Sequence, residues 1–354
     1  MLKGLNYLLS DTLFKESAVG KELLEKPLGF IDIGARGGVH SLVEPLADCT
    51  AVLAFEPDED ECARLLKKQK AKYAAIEILP VALADKEGEK ILYKYASPVN
   101  NSLRPENTYA INRYKINTFQ RIGTIPIQTT TLDKVLFEKT SLLDTYGEFI
   151  KLDTQGTEWE ILQGAQRVLE ERTLAIILEA DFFPYYEGQK LFSDVEIFLR
   201  KRGFFFYGFM EMHYRSCKSL DKLFENGRER TFWGDAVFFK DPIPMGTSTS
   251  KTLTKRGAYV LFALALLTGY YDFALELALK EWAKGEESIR IANLVHGLSY
   301  LDPRETYTEL LSLVERVKAN PETANIEVGR FVDNRRHIND YDDIPILESK
   351  ENIR

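Results

Sequence analysis

Apolar positions along this chain alternate between short dense runs and longer stretches with helical spacing. Residues 2–25 carry apolar side chains at that helical spacing and predict a helix, ended where Lys26-Pro27 forbids continuation. Apolar runs at 28–33, 51–55, 76–83, 148–152 and 174–178 then predict five strands. Helical spacing falls between them at 59–73, with Cys62, Leu65, Leu66 and Gln69 along it, and at 157–170, with Trp159, Leu162, Ala165 and Leu169 facing inward. Strands alternating with helices in this way predict a parallel α/β sheet. A hairpin partner at 90–95 is expected after the stop at Asp85-Lys86-Glu87-Gly88, and a short helix from Thr131 to Phe137. A helix at 193–201 ends at Gly203, a favoured left-handed cap, before edge strands at 204–209 and 235–239.

Two stretches interrupt the alternation. Residues 96–128 are irregular and rich in Asn, Tyr, Arg and Pro, and so long a connection suggests a lid or substrate loop. The run Asp241-Pro242-Ile243-Pro244, continuing through Ser250, reads as a linker, and the pattern beyond it is helical without strands. The most membrane-like run, 257–271, meets Asp272 and Glu276 well before the ~20 apolar residues a span requires, so a buried helix is expected. A turn at 267–274 would join it to an antiparallel helix, and the polar stretch 334–354 would fray. The expected organisation is an N-terminal helix (1–26), an α/β domain (27–241), a linker (242–250) and a small helical domain with a polar tail (251–354).

Composition narrows the function classes. Of 354 residues 45% are hydrophobic, which supplies a core and excludes whole-chain disorder. A formal charge of −8 argues against nucleic acid as a partner, and Lys67-Lys68-Gln69-Lys70 reads as a solvated helix face. Three cysteines without a C-x-x-C spacing suggest neither a disulfide framework nor zinc, and suit the cytoplasm. The first residues lack the uninterrupted apolar core and cleavage site of a signal peptide.

Three places carry candidate chemistry. After the first strand, Asp32-Ile33-Gly34-Ala35-Arg36-Gly37-Gly38 has G-x-x-G-G spacing, where glycine lets a backbone approach a ligand at the carboxyl end of a strand. Asp32, two residues before the first glycine, could hold a cationic amino group rather than a pyrophosphate. Glu56 closes the second strand about 20 residues on, where a carboxylate accepts ribose hydroxyls, and Pro57 aims it. In Lys151-Leu152-Asp153-Thr154-Gln155-Gly156-Thr157-Glu158-Trp159-Glu160, Asp153 ends a central strand facing the same crevice. Glu158 suits either a helix start or a site role.

These blocks, with FEP after strand two, VALAD after strand three, NNS in the loop, TLD before strand four and KLDTQGTEWEILQGA, resemble the FkbM-type methyltransferase family from about Gly29 to Phe239. The resemblance implies a seven-stranded Rossmann-like methyltransferase sheet with helices on both faces, followed by a helical region it does not cover. It implies S-adenosylmethionine as cofactor and O-methylation, often of sugars or polyketide-type hydroxyls. It implies cofactor contacts at Asp32, Gly34, Gly37 and Glu56, with Ala35 and Pro57 beside them. It also implies that the Ala82–Asp85 segment lines the adenine and that Asp153 lies near the methyl group. Arg36 stands where the family usually has Asn, and Thr154-Gln155 replaces a commoner hydrophobic-acidic pair.

A hydroxyl acceptor calls for a general base, and Asp153, Glu179, Asp181 and His213 are the candidates. Asn100, Asn101 and Ser102 and the following stretch 104–121, with Asp181 and the aromatic run Phe182-Phe183-Pro184-Tyr185-Tyr186, form the expected acceptor surface, suited to a sugar or glycoconjugate. The carboxylates are compatible with Mg²⁺, but no ligand spacing demands it, and a metal-free site is expected. The expected partner is a small-molecule acceptor, without nucleic acid or a membrane span, and a homo-oligomer is compatible with the chain. Two other readings compete. One is a non-catalytic interaction protein using the helical region. The other is a nicotinamide oxidoreductase, against which the G-x-x-G-G spacing counts.

Overall fold

Dense β-branched and aromatic runs build ten strands, in chain order β1 (Leu28–Ile33), β2 (Thr50–Phe55), β3 (Ala75–Leu79), β4 (Ala82–Leu83), β5 (Gly88–Tyr95), β6 (Arg121–Thr130), β7 (Phe149–Leu152), β8 (Ala175–Asp181), β9 (Phe205–Arg215) and β10 (Arg230–Phe239). The computed structural model describes residues 8, 11–69, 71–138, 142–220, 225, 227–243, 253–300 and 302–333. Most of the expected helix segment 2–10, the greater part of the linker (244–250) and the tail 334–354 lie outside the described residues.

Seven strands form one sheet in the order β3-β2-β1-β7-β8-β10-β9. Pairing is parallel from β3 through β8, while β10 runs antiparallel to both β8 and β9. All six residues of β1 and of β2 are buried, as expected of central strands covered on both faces. The strand order reverses at β1, which puts the sheet's crevice beside the ends of β1 and β7.

Each face buries alternate residues. On one face Ile31, Leu53, Ile150, Leu178 and Phe238 pack in one cluster with Leu132, Leu162, Val168 and Phe198. On the other, Phe30, Val52, Phe149, Ile177 and Val237 share a cluster with Val19 and Leu23 of helix Ala18–Glu25. The same cluster takes in helices Lys255–Leu267, Tyr271–Glu281 and Glu286–Ser299.

That cluster alters the expected domain organisation. One compact unit holds Leu5–Lys218 and Glu229–Ser299, so the three helices after the linker belong with the sheet and not with a separate helical domain. The reason is visible in helix Lys255–Leu267, where every residue from Gly257 to Leu267 is buried. A helix apolar all round has no solvent face to present. The second unit contains, among its described residues, helices Pro303–Ala319 and Ala324–Asp333, joined by an Arg316–Glu327 ion pair at 2.8 Å. No helix of the described residues is long and apolar enough to cross a membrane.

Several expected elements change. The strand expected at 76–83 stops at Leu79, and β4 leaves for a three-stranded sheet of order β4-β6-β5. The partner of β5 is therefore β6, drawn from the 96–128 stretch expected to be irregular, which also contains helix Thr108–Arg113. The expected helix at 157–170 is two, Glu158–Gln163 and Gln166–Glu171. Gly164 separates them, and a Cβ there would stand 2.2 Å from the Ala84 carbonyl oxygen. Ser17 divides the N-terminal helix in the same manner, its hydroxyl accepting from Gly20 N at 3.0 Å as a cap.

Arg256 closes the end of the sheet opposite the crevice. Its guanidinium donates to Glu148 Oε1 at 2.6 Å and Oε2 at 2.9 Å, and to the Lys26 and Pro27 carbonyls at 2.9 and 3.1 Å. Glu148 Oε2 also accepts from Gly29 N at 3.0 Å. Removing the arginine would leave a buried carboxylate without its counter-ion. Arg256→Ala is expected to lower unfolding free energy by on the order of 3 kcal/mol, measured by denaturant titration, whereas Arg290→Ala on an exposed helix face should change it by less than about 0.5 kcal/mol.

Candidate active site

A cavity opens at the carboxyl ends of β1, β2 and β7, walled by Gly34, Arg36, Glu56, Pro57, Ala82 and Asp153. Leu92, Lys94, Ile125 and Ile127 of the β5–β6 ribbon line it, with Val99, Asn101 and Ser102 from the connecting loop. The wall begins with Gly34, held at φ +85°, where a Cβ would stand 1.9 Å from the Asp153 carbonyl oxygen. This glycine lets the turn pack against the backbone at the end of β7 while it lines the cavity. Gly37 (φ +89°) has no atom within 4 Å of where its Cβ would be, and its N–H donates to Glu61 Oε1 at 2.9 Å. Ala35 packs in the apolar core, its N–H donating to the Phe55 carbonyl at 3.2 Å. Neither Gly37 nor Ala35 lines the cavity.

Asp32 is fully buried behind the wall, and its Oδ2 accepts from His40 N at 2.8 Å. The cation nearest its Oδ1 is Lys151 Nζ at 3.5 Å, which also reaches Asp153 Oδ2 at 3.4 Å. The chain thus supplies its own positive charge to Asp32. Burial drives the His40 imidazole pKa down, reinforced by the Lys151 charge.

Glu56 follows β2 and is 4% exposed, on the cavity wall. Its Oε1 accepts from Asp58 N at 3.1 Å and from Arg36 Nη2 at 3.4 Å; among the described residues no protein group donates to Oε2. Burial raises its pKa, partly countered by the Asp58 N–H and by Arg36. Arg36 also donates to Asp58 Oδ2 at 3.1 Å and so bridges the two carboxylates at the cavity mouth.

The third wall is acidic. Asp153 stands at the end of β7 with its side chain 38% exposed. Gln155 Nε2 donates to Asp153 Oδ1 at 3.0 Å and to Glu179 Oε1 at 3.3 Å. Burial raises Glu179 well above the usual carboxylate range, and the Asp153 charge pushes it further. Asp235, opposite Glu179 in the β8–β10 ladder, is raised to about 6 by burial and by Asp153. Glu158 is raised to about 7 by burial. Its Oε1 accepts from Thr154 N at 2.7 Å, Thr154 Oγ1 at 3.0 Å and Gly156 N at 3.4 Å, so this helix-start glutamate shapes the turn that carries Asp153. Among the described residues, no group of three His, Cys, Asp or Glu side chains is arranged to hold a metal ion.

Gly34, Glu56, Pro57, Ala82, Asn101, Ser102 and Asp153 therefore meet in one cavity, and the other sequence candidates stand elsewhere. Asp85 lies off the lining, where Lys90 Nζ donates to it at 2.6 Å. Asp181 is buried and accepts from Gln189 Nε2; burial raises its pKa, as does the Glu158 charge. Tyr185 packs in an aromatic cluster with Phe119, Phe183 and Phe232, its ring parallel to Phe119 at 5.8 Å. His213 stacks on Trp233 at 3.5 Å, with Glu211 Oε2 3.5 Å from its Nε2, and burial lowers its pKa. Asn101 Oδ1 accepts from Tyr95 N at 3.0 Å, and Ser102 Oγ donates to the Gln155 carbonyl at 2.6 Å. Lys151, Gln155, Trp233 and Asp235 were not among the sequence candidates. Lys151 alone had a readable signal, a lysine within a buried central strand.

Comparison with known proteins locates this geometry. Residues 32–206 match the family model described as the methyltransferase FkbM domain. Among solved structures, the chain is similar to a methyltransferase FkbM from Methylobacillus flagellatus KT at 13% identity and TM-score 0.34, covering 60% of this chain and 43% of that one. It thus spans less than half of that protein's length. It is also similar to Sp1610 of Streptococcus pneumoniae, a putative tRNA (m1A22) methyltransferase, at 13% identity and TM-score 0.29, covering 79% of this chain and 99% of that one. No curated protein sequence matches the chain.

The raised carboxyls set a pH dependence. Glu158 and Asp235 keep their protons to higher pH in the folded chain than in the unfolded one, so stability falls as pH rises from about 4 to about 7. A melting-temperature series is expected to decline across that window. Glu158→Gln, which keeps an acceptor for the Thr154 donors and cannot ionise, should flatten the decline above pH 5. An unaltered slope would mean that Glu158 ionises normally.

Proposed function

Residues 32–206 form a methyltransferase FkbM domain, and from that premise we propose that the cavity binds S-adenosylmethionine and that the protein O-methylates a small polyhydroxylated acceptor such as a sugar. The observation that carries the reading is Glu56, a buried carboxylate on the cavity wall whose Oε2 has no protein donor among the described residues. That oxygen opens to the cavity with accepting capacity left, and a pair of ribose hydroxyls would satisfy it. Val81, Leu83 and Ile161 add apolar lining of the kind that suits a nucleoside base. In this reading Glu56 and Pro57 hold the ribose end, Ala82 lies along the base, and Asp32 acts through Lys151 and the 33–40 turn.

When bound, the cofactor supplies an activated methyl on a sulfonium. In-line displacement asks the protein chiefly to fix the acceptor oxygen in line with that methyl. Asp153, exposed at the crevice and braced by Lys151 and Gln155, accepts the acceptor hydroxyl's proton, a role typically worth about 10²–10⁴ in rate. Glu179, its pKa raised by burial, is suited to donate a hydrogen bond to an acceptor hydroxyl. Three cysteines without disulfides fit a cytoplasmic setting.

Calorimetric titration with S-adenosylmethionine, S-adenosylhomocysteine and NAD tests the reading. The first two are expected to bind and NAD is not; the reverse would sink it. Glu56→Ala should weaken S-adenosylhomocysteine by about 1–3 kcal/mol, the cost of leaving ribose hydroxyls unpaired. Unchanged affinity would remove Glu56 from the ribose site.

A further inference from the structure

Gln155 joins groups from four parts of the chain. It is a non-glycine residue in the left-handed region, φ +58°, followed by Gly156 at φ +88°. L side chains rarely adopt that conformation, and where they do the surroundings hold them in it. Its Nε2 donates to Asp153 Oδ1 at 3.0 Å and Glu179 Oε1 at 3.3 Å, which uses both amide hydrogens. Its Oε1 lies 3.1 Å from the Tyr186 hydroxyl, and that same hydroxyl lies 2.9 Å from the Asn100 carbonyl oxygen. One phenolic proton thus serves a carbonyl of the loop and the amide of the site. The Gln155 main-chain carbonyl accepts from Ser102 Oγ at 2.6 Å, two residues further along the loop.

The residue type matters because its neighbours are acids. Asp153 and Glu179 face the amide directly. Asp181 and Asp235 flank Glu179 on β8 and β10, and Glu158 lies beneath the turn. The counter-charge is Lys151, on the far side of Asp153. Glutamate in place of Gln155 would donate to neither carboxylate when ionised and would add another negative charge within hydrogen-bond reach of both.

We propose that Gln155 is a positioning residue: its neutral amide holds Asp153 and Glu179 in one hydrogen-bonded arrangement and, through Tyr186 and Ser102, ties that arrangement to the loop over the cavity. The proposal rests on reading that cavity as the cofactor site. It makes the loop and the acid pair a single mechanical unit, so that displacing one disturbs the other.

The test compares the unaltered protein with Gln155→Glu and Gln155→Ala between pH 5.5 and 8. Two quantities are read, the dissociation constant for S-adenosylhomocysteine and the melting temperature. At pH 8, Gln155→Glu should bind roughly tenfold more weakly than the unaltered protein. As pH falls, the new carboxyl takes up a proton and can again donate to a neighbouring carboxylate, so the gap should close to within about threefold. The melting-temperature gap should narrow in parallel. Gln155→Ala cannot regain a donor, and its deficit should not narrow in this way. Glu179, Glu158 and Asp235 titrate in all three proteins, so comparison at each pH isolates the substituted residue. A Gln155→Glu protein equal to the unaltered one at pH 8, or a gap that stays constant as pH falls, overturns the proposal. If the unaltered protein binds no S-adenosylhomocysteine, the cofactor reading fails; the melting-temperature gap then decides separately whether Gln155 holds the acid pair.

Discussion

Lys151 carries its ammonium on a central strand, in register with Asp32 on one side and Ile177 on the other. It is held by Asp32 at 3.5 Å and Asp153 at 3.4 Å, one carboxylate behind the cavity wall and one on it. A lone buried ammonium would shed its proton, yet here the two carboxylates outweigh burial and push the lysine's pKa upward. Much of the site follows from that contact. It supplies the counter-charge for Asp32, whose other oxygen accepts the His40 N–H at the end of the glycine-rich turn. It also gives Asp153 a cation, while burial first and the Asp153 charge after it hold Glu179, Asp181 and Asp235 towards their neutral forms. One charge network therefore links the turn that shapes the cavity to the carboxylate at the end of β7.

What could be read from the chain alone was whatever lay in one continuous string. The turn at Gly34, Glu56 after the second strand and Asp153 after the fourth were legible because each sits a fixed distance past a short apolar run. The α/β alternation was legible for the same reason, since both periodicities are local. The β5–β6 ribbon was not. Most of β6 is solvent-exposed, Ile122 by 62%, so no buried-face alternation marks it as a strand. Its partner lies beyond the Thr108–Arg113 helix, and only the pairing reveals it.

The acceptor side was less legible because side chains with the right chemistry turned out to have structural employers. Tyr185 is committed to an aromatic cluster and Asn101 to the Tyr95 N–H. Conversely, Asp235 and Trp233 gained a place beside the site only because β10 runs antiparallel to β8, which brings Asp235 level with Glu179 and Trp233 level with Asp181. No local signal announces that reversal. Gln155 lies next to Asp153 in sequence, but its meaning depends on Glu179 and Tyr186, 24 and 31 residues away.

The clasp at Arg256 bears on the order in which the molecule can be completed. Its partners Glu148, Lys26 and Pro27 precede it by 108, 230 and 229 residues. Ribosomal synthesis therefore delivers all seven strands of the large sheet before three of the helices that cover one of its faces. Until residues 255–299 emerge, Phe30, Val52, Phe149, Ile177 and Val237 lie on a face that still lacks part of its cover. A nascent chain at that stage would be a substrate for chaperones, and a fragment cut at the apparent boundary near 241 would carry the same bare surface permanently.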